Sequence, residues 1–237
     1  MKRELNIKGP QETFLFKAVA FFSRLQMGYL FHKRKDTQLL VALFALASGT
    51  TALATITLAA YLTNLPLLFP PLAPSAFILF YTPLSNTASP RNVLMSHTMA
   101  LAAGLISLRA MVFFCPQSYL LDPEVMNWHR IVVIGSSSTI IGLLMIMLRC
   151  VHAPAAATAL IAALGYFRTP LQVLGLVAAV VFLLLEAIVF VKLLGGLPYP
   201  LWKPNHKLTK PYRQLADGID ARRGFWEEAA AKIYKLR

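Results

Sequence analysis

From Leu39 to Leu62 the chain runs 24 residues without a charge. At 1.5 Å per helical residue, that is enough to cross a hydrocarbon core about 30 Å thick with some tilt. Comparable runs follow at 92–114, interrupted by Arg109, at 131–148, and at 171–194, interrupted by Glu186 and Lys192. The pattern predicts four long membrane-spanning helices. Two further apolar stretches, 70–83 and 152–167, are led by proline and are too short to cross comfortably. They read as short helices with N-termini near Pro74 and Pro154, where proline is well tolerated, and as broken or re-entrant segments.

Shifting the chain by 80 residues lays Ala73-Pro74 on Ala153-Pro154, Ala76 on Ala156, Pro90 on Pro170 and Val93-Leu94 on Val173-Leu174 without a gap. Each half therefore reads as long span, proline-led short helix, proline, long span. The expected fold is an all-α membrane bundle of four long spans and two short helices in two repeats. If the short helices turn back, the repeats are parallel; if they cross, each half makes three passages and the repeats are inverted. The 115–130 loop carries Asp122 and Glu124 against Arg130 alone, without the Lys/Arg excess of a cytoplasmic loop, whereas Arg91 and Arg149 become cytoplasmic if the short helices cross. The charge count favours the inverted arrangement.

Upstream, residues 13–31 place Phe14, Ala18, Phe21, Phe22, Leu25 and Tyr29 on one stripe, as in an amphipathic helix lying among headgroups. The domain reading is a basic tail over 1–38, repeat 1 over 39–114, a loop over 115–130, repeat 2 over 131–202, and a basic tail over 203–237 with a short helix near Phe225–Leu236.

Composition agrees: 57% of the residues are hydrophobic and 14% charged. The formal charge of +13 divides into +5 before residue 39, +3 across the spans and +5 after residue 202. Basic ends beside apolar spans mark cytoplasmic tails that meet anionic headgroups, and basic residues confined to the ends argue against nucleic-acid binding. Cys115 and Cys150 make no disulfide framework and read as packing residues. The N-terminus lacks a signal peptide, and a Met1 start without a transit sequence points to a bacterial inner membrane.

Polar groups inside hydrocarbon are costly and mark sites. His152 precedes Pro154 at the mouth of the second short helix, with Thr158 one turn in, and Pro74-Ser75-Ala76 repeats the arrangement in the first half. Helix N-termini present unpaired N–H groups, so two of them meeting would make an anion site; close packing of alanine-rich helices is the other reading. Pro90-Arg91-Asn92-Val93 opens the second long span, with His97 beyond it. Arg91 either snorkels to the interface or holds an oxyanion in its planar fork, and Asn92 and His97 add neutral donors. His97 and His152 lack further ligands at metal spacing, and no cofactor motif is present. Glu186 either pairs with Arg109 or Lys192 or carries a proton coupled to transport.

Residues 152–160, His-Ala-Pro followed by small residues, resemble the His-Pro-Pro signature of the HPP family of integral membrane proteins, and Pro90-Arg91-Asn92-Val93 with His97 is similar to that family's upstream Pro-Arg-Asn motif. The resemblance covers roughly residues 40–195. It implies a transporter, with nitrite the candidate substrate because plant chloroplast and cyanobacterial relatives are associated with nitrite movement. One position departs: the middle proline of the signature is Ala153 here, which puts the His-to-helix geometry and the substrate in doubt. The resulting expectation is a transporter or channel for a small inorganic anion, with Ser75, Arg91, Asn92, His97, His152, Pro154 and Thr158 at the substrate. Two other readings stand: a non-transporting membrane subunit acting through its basic tails, and an intramembrane enzyme using His97, His152 and Glu186, although enzyme motifs are missing. Homo-oligomerisation through small-residue faces such as Ala100–Gly104 and Gly135 is expected.

Overall fold

The computed structural model describes residues 37–203 together with 21, 23, 26–33 and 215. Most of the 13–31 stretch, most of both basic tails and the expected helix near Phe225–Leu236 lie outside the described residues. Helix α1 is Met27–Lys33. The four expected spans are α2, Gln38–Thr63, α4, Pro90–Phe114, α5, Trp128–Met147, and α7, Pro170–Ala187, which continues in π-helical turns over Ile188–Leu194. The short helices are α3, Leu72–Tyr81, and α6, Ala155–Ala163. Among the described residues there is no strand, and four helices are long and apolar enough to cross a membrane.

Local chemistry sets these boundaries. Pro90 and Pro170 each occupy the first helical position, where a missing N–H costs nothing. Thr169 and Gln172 form a capping box at the start of α7. The Asn127 side chain accepts from the Arg130 N–H, starting α5 three residues before the apolar run expected from Ile131. Helix α3 begins at Leu72 rather than near Pro74. Pro71, at φ −63°, is already set for a helix, and Pro74 falls in the first turn, where donors have no intrahelical partner. Asn64, at φ 54°, closes α2 in a left-handed cap.

Contacts at the helix ends fix the course of the chain. The Arg91 guanidinium at the start of α4 donates to Leu148 O and Arg149 O at the end of α5. The Arg91 N–H donates to Trp202 O, and the Tyr199 hydroxyl to Ala88 O, so the segment after α7 lies at this same end. Tyr199 is buried, and burial pushes its phenol above the ordinary range, keeping it a neutral donor. At the other end, Arg130 joins the 115–127 loop to Ala163 at the end of α6, and Phe69 stacks on Phe167 with ring centroids 5.4 Å apart. The stretches 64–89 and 148–169, each holding one short helix, therefore run from one end of the bundle to the other.

Among the described residues the interior holds four apolar clusters, of which two are built around the short helices α3 and α6. One joins α2, α3 and α7 through residues such as Ile56, Leu79 and Leu183; the other joins α4, α5 and α6 through Ala100, Ile141 and Ala159. Gly104 lets α4 and α6 touch backbone to backbone, since a Cβ there would stand 2.5 Å from both Ala159 O and Ala162 Cβ. The Ala100–Gly104 face expected to join protomers is thus consumed inside the chain, because α6 already fills it. Gly135 on α5 meets nothing within 4 Å.

Candidate functional site

Between these two clusters, α3, α4, α6 and the segment leading into α6 bring four polar side chains together. Ser75 Oγ lies 2.9 Å from His97 Nε2 and 3.0 Å from His152 Nε2. His97 Nδ1 lies 2.8 Å from Thr158 Oγ1, and His152 Nδ1 lies 2.8 Å from Thr87 O. The imidazole centroids are 5.3 Å apart, and none of the four side chains is more than 1% exposed. Every ring nitrogen of both histidines is hydrogen-bonded.

Counting hydrogens assigns the tautomers. Thr87 O only accepts, so His152 Nδ1 donates, and in the neutral ring Nε2 accepts from Ser75. That spends the single Ser75 hydrogen. His97 Nε2 must then donate to Ser75 Oγ, and His97 Nδ1 accepts from Thr158. A competing acceptor, Pro71 O, stands 2.8 Å from Ser75 Oγ. If Ser75 turns to it, His152 can keep its contact only by carrying a second proton. The hydroxyl is therefore a two-position element between two imidazoles.

The backbone around α6 is already satisfied. The N–H groups of Ala155, Ala156 and Ala157 bond to His152 O, Ala153 O and Pro154 O at 3.0 to 3.1 Å, in tight 3₁₀-type contacts. The N–H groups expected to stand unpaired at that helix start are thus engaged in this conformation, and the side chains of Ser75, His97, His152 and Thr158 provide the polar surface instead. Pro154 is the residue ahead of the first turn.

Arg91 and Asn92 do not join the network. Asn92 accepts from Arg91 at 3.3 Å and donates to Asn86 O. Both line a cavity of about 570 Å³ together with Asn86, Thr87, Arg149 and Lys203. Thr87 links that cavity to the histidines, since its carbonyl accepts from His152. A second cavity, of about 440 Å³, is lined by Arg109, Arg168, Asp122 and Gly165 at the opposite end of α4. The helical rise sets Arg91 and Arg109 about 27 Å apart along α4. Two guanidinium-lined cavities thus lie toward opposite ends of α4, with the buried hydrogen-bonded network between them along the helix.

Glu186 does not meet Arg109. Helices α4 and α7 start at opposite ends, so Arg109, near the end of α4, lies toward the start of α7, whereas Glu186 lies near the end of α7. Glu186 Oε1 is instead hydrogen-bonded with Thr55 of α2, and no ion pair to Lys192 is found among the described residues.

Three contributors were not legible as site residues. Thr87 acts through its carbonyl, which side-chain identity does not reveal. Ser96 donates to Cys150 O and so holds the segment leading to His152. Arg130, 1% exposed, donates to the carbonyls of Val125, Ala163, Leu120 and Asp122. The only signal for it was a lone arginine beside an acidic loop.

The chain matches the family described as HPP, transmembrane region, over residues 34–200. Comparison with curated proteins and with solved structures yields no match.

Proposed function

The chain belongs to the HPP family of transmembrane proteins, matched over well over half its length, and from that premise we propose that it moves a small inorganic anion, nitrite foremost, across the membrane. The observation that carries this reading is the pair of arginine-lined cavities at opposite ends of α4 with the His97–Ser75–His152–Thr158 seal between them. Cationic cavities concentrate a monovalent anion, and a neutral seal of donors takes it over without a fixed charge to trap it. Arg91, Arg149, Asn92 and Lys203 receive the anion; Ser75, His97, His152 and Thr158 then donate to it as the seal opens. On this reading the two halves are inverted repeats, 39–114 and 131–202, that exchange which cavity reaches the seal. The protein performs no catalytic turnover, its basic tails face the cytoplasm against anionic headgroups, and a second copy packs on the α5 face at Gly135.

The test is nitrite uptake into liposomes holding the purified protein, against protein-free vesicles and the His152→Ala variant. Uptake by wild type that falls by an order of magnitude in His152→Ala is the expected result. If wild type moves none of nitrite, nitrate, formate or chloride, the reading is wrong.

A further inference from the structure

Away from the histidines, the seam between α2 and α7 holds a half-buried carboxyl group among apolar side chains. Glu186 Oε1 is hydrogen-bonded with Thr55 Oγ1, while Glu186 Oε2 is buried without a partner among the described residues. Thr55 Oγ1 also lies 3.0 Å from Thr51 O and 2.9 Å from Ala52 O, two carbonyls of its own helix that only accept. Thr55 has one hydrogen. When it points to its own backbone, as threonines in apolar helices commonly do, the hydrogen between Thr55 and Glu186 has to come from the carboxyl.

The surroundings agree. Helix α2 carries no Asp, Glu, Lys, Arg or His, and its only titratable side chain, Tyr61, is near its far end; α3 offers only Tyr81. On α4, His97 is engaged with Ser75 and Thr158, and Arg91 and Arg109 sit near the two ends. Lys192, on the π-helical turns, is exposed. Among the described residues no cation pairs with a carboxylate here, and an ionised group with one oxygen buried and unpartnered is costly in hydrocarbon. We propose that Glu186 is the proton-binding site of the transporter, neutral in this conformation through a proton shared with Thr55, and ionised when the α2–α7 seam opens.

This inference rests on the anion-transport reading and assigns its coupling ion. The carboxylate takes one proton from the aqueous phase at one face and returns it at the other. A proton moved with each monovalent anion leaves no net charge transferred. Two features connect the seam to the anion path. Helix α3 packs on both α2 and α7 and carries Ser75 into the histidine pair. Two residues beyond Glu186, α7 changes to π-helical turns from Ile188, a local change of hydrogen-bond register that such turns readily gain or lose.

Infrared difference spectra of the purified protein, combined with vesicle uptake, test this. Wild type at neutral pH is expected to show a protonated-carboxyl band that is lost in Glu186→Gln and shifted in Thr55→Val. Glu186→Gln, close in shape and still able to meet Thr55, is expected to exchange nitrite while losing the several-fold acceleration that an inward proton gradient gives wild type. Absence of the band, or a Gln variant that still responds to the gradient, overturns the inference and leaves the transport reading standing. If wild type moves no anion at all, the transport reading and its coupling fall together, and the band alone decides whether Glu186 holds a proton.

Discussion

Ser75 of α3 and His152, just ahead of α6, are 77 positions apart in the chain and 3.0 Å apart in space. The contact joins the two short helices, one from each half, at the point where the cluster around α6 meets that around α3. Because the same hydroxyl also meets His97, the three residues are coupled, and loss of Ser75 leaves the Nε2 atoms of both histidines without a partner.

Ser75→Ala therefore removes the shared partner of both Nε2 atoms while leaving room for the helix to form. Each buried nitrogen left unpaired costs about 1–3 kcal/mol. The variant is expected to unfold at lower temperature in detergent and to lose nitrite uptake. A melting temperature equal to wild type would mean that the two imidazoles do not depend on Ser75.

Arg130 gives a prediction for stability alone. Its planar fork reaches four carbonyls from the 115–127 loop and α6, an arrangement a lysine ammonium with three donors on a flexible stem does not match. Arg130→Lys keeps the charge yet leaves at least one carbonyl without a donor, at about 1–3 kcal/mol for each one lost. Thermal unfolding should move down while uptake per folded molecule stays near wild type. Unchanged unfolding would show that charge, and not the fork, is what this site needs.

The membrane class and the four spans were legible because an apolar run of about 18 residues or more, broken by a charge at most once or twice, matches the thickness of a bilayer and exceeds what a half-exposed helix in water can carry. Boundaries were less so. Helix α5 starts at Trp128 because Asn127 caps it and Arg130 turns inward, whereas a hydropathy pattern sees the apolar run broken by His129 and Arg130. Ser75, His97, His152 and Thr158 were each legible as polar groups in apolar surroundings, but not as one network, since sequence spacing speaks only of neighbours on one helix. The same gap hid the partner of Glu186. Thr55 lies 131 residues away on α2, and threonine in an apolar helix looks like a residue satisfied by its own backbone.

Two glycines are predicted to respond with opposite signs. Gly104→Ala puts a Cβ against the backbone of α6, where neither Ala159 O nor Ala163 N can move without the helix moving. Overpacking of this kind costs about 1–3 kcal/mol. Gly135→Ala meets open space and exchanges the most flexible residue for the best helix former, a gain of up to about 1 kcal/mol. Unfolding temperatures of the two variants, measured in detergent at a dilution that holds the chain monomeric, should therefore fall for the first and hold or rise for the second. The opposite order would contradict the α4–α6 contact.

Arg91 has two roles to separate, closing the end of α5 and attracting the anion. Its Nη1 and Nη2 donate to Arg149 O and Leu148 O, a fork that lysine cannot reproduce, while its charge faces the cavity shared with Arg149 and Lys203. Arg91→Lys keeps the charge and loses the fork; Arg91→Gln loses both the charge and most of the fork. If the fork alone matters, both variants lose stability and uptake in parallel. If the charge also matters, Gln raises the nitrite concentration for half-maximal uptake well beyond Lys, and the gap narrows in high salt, where the attraction is screened. The second pattern is expected, because the cavity holds three cationic side chains with no acidic residue among those lining it. Identical concentration dependence in Lys and Gln would reduce Arg91 to a helix cap and move the anion's reception to Arg149 and Lys203.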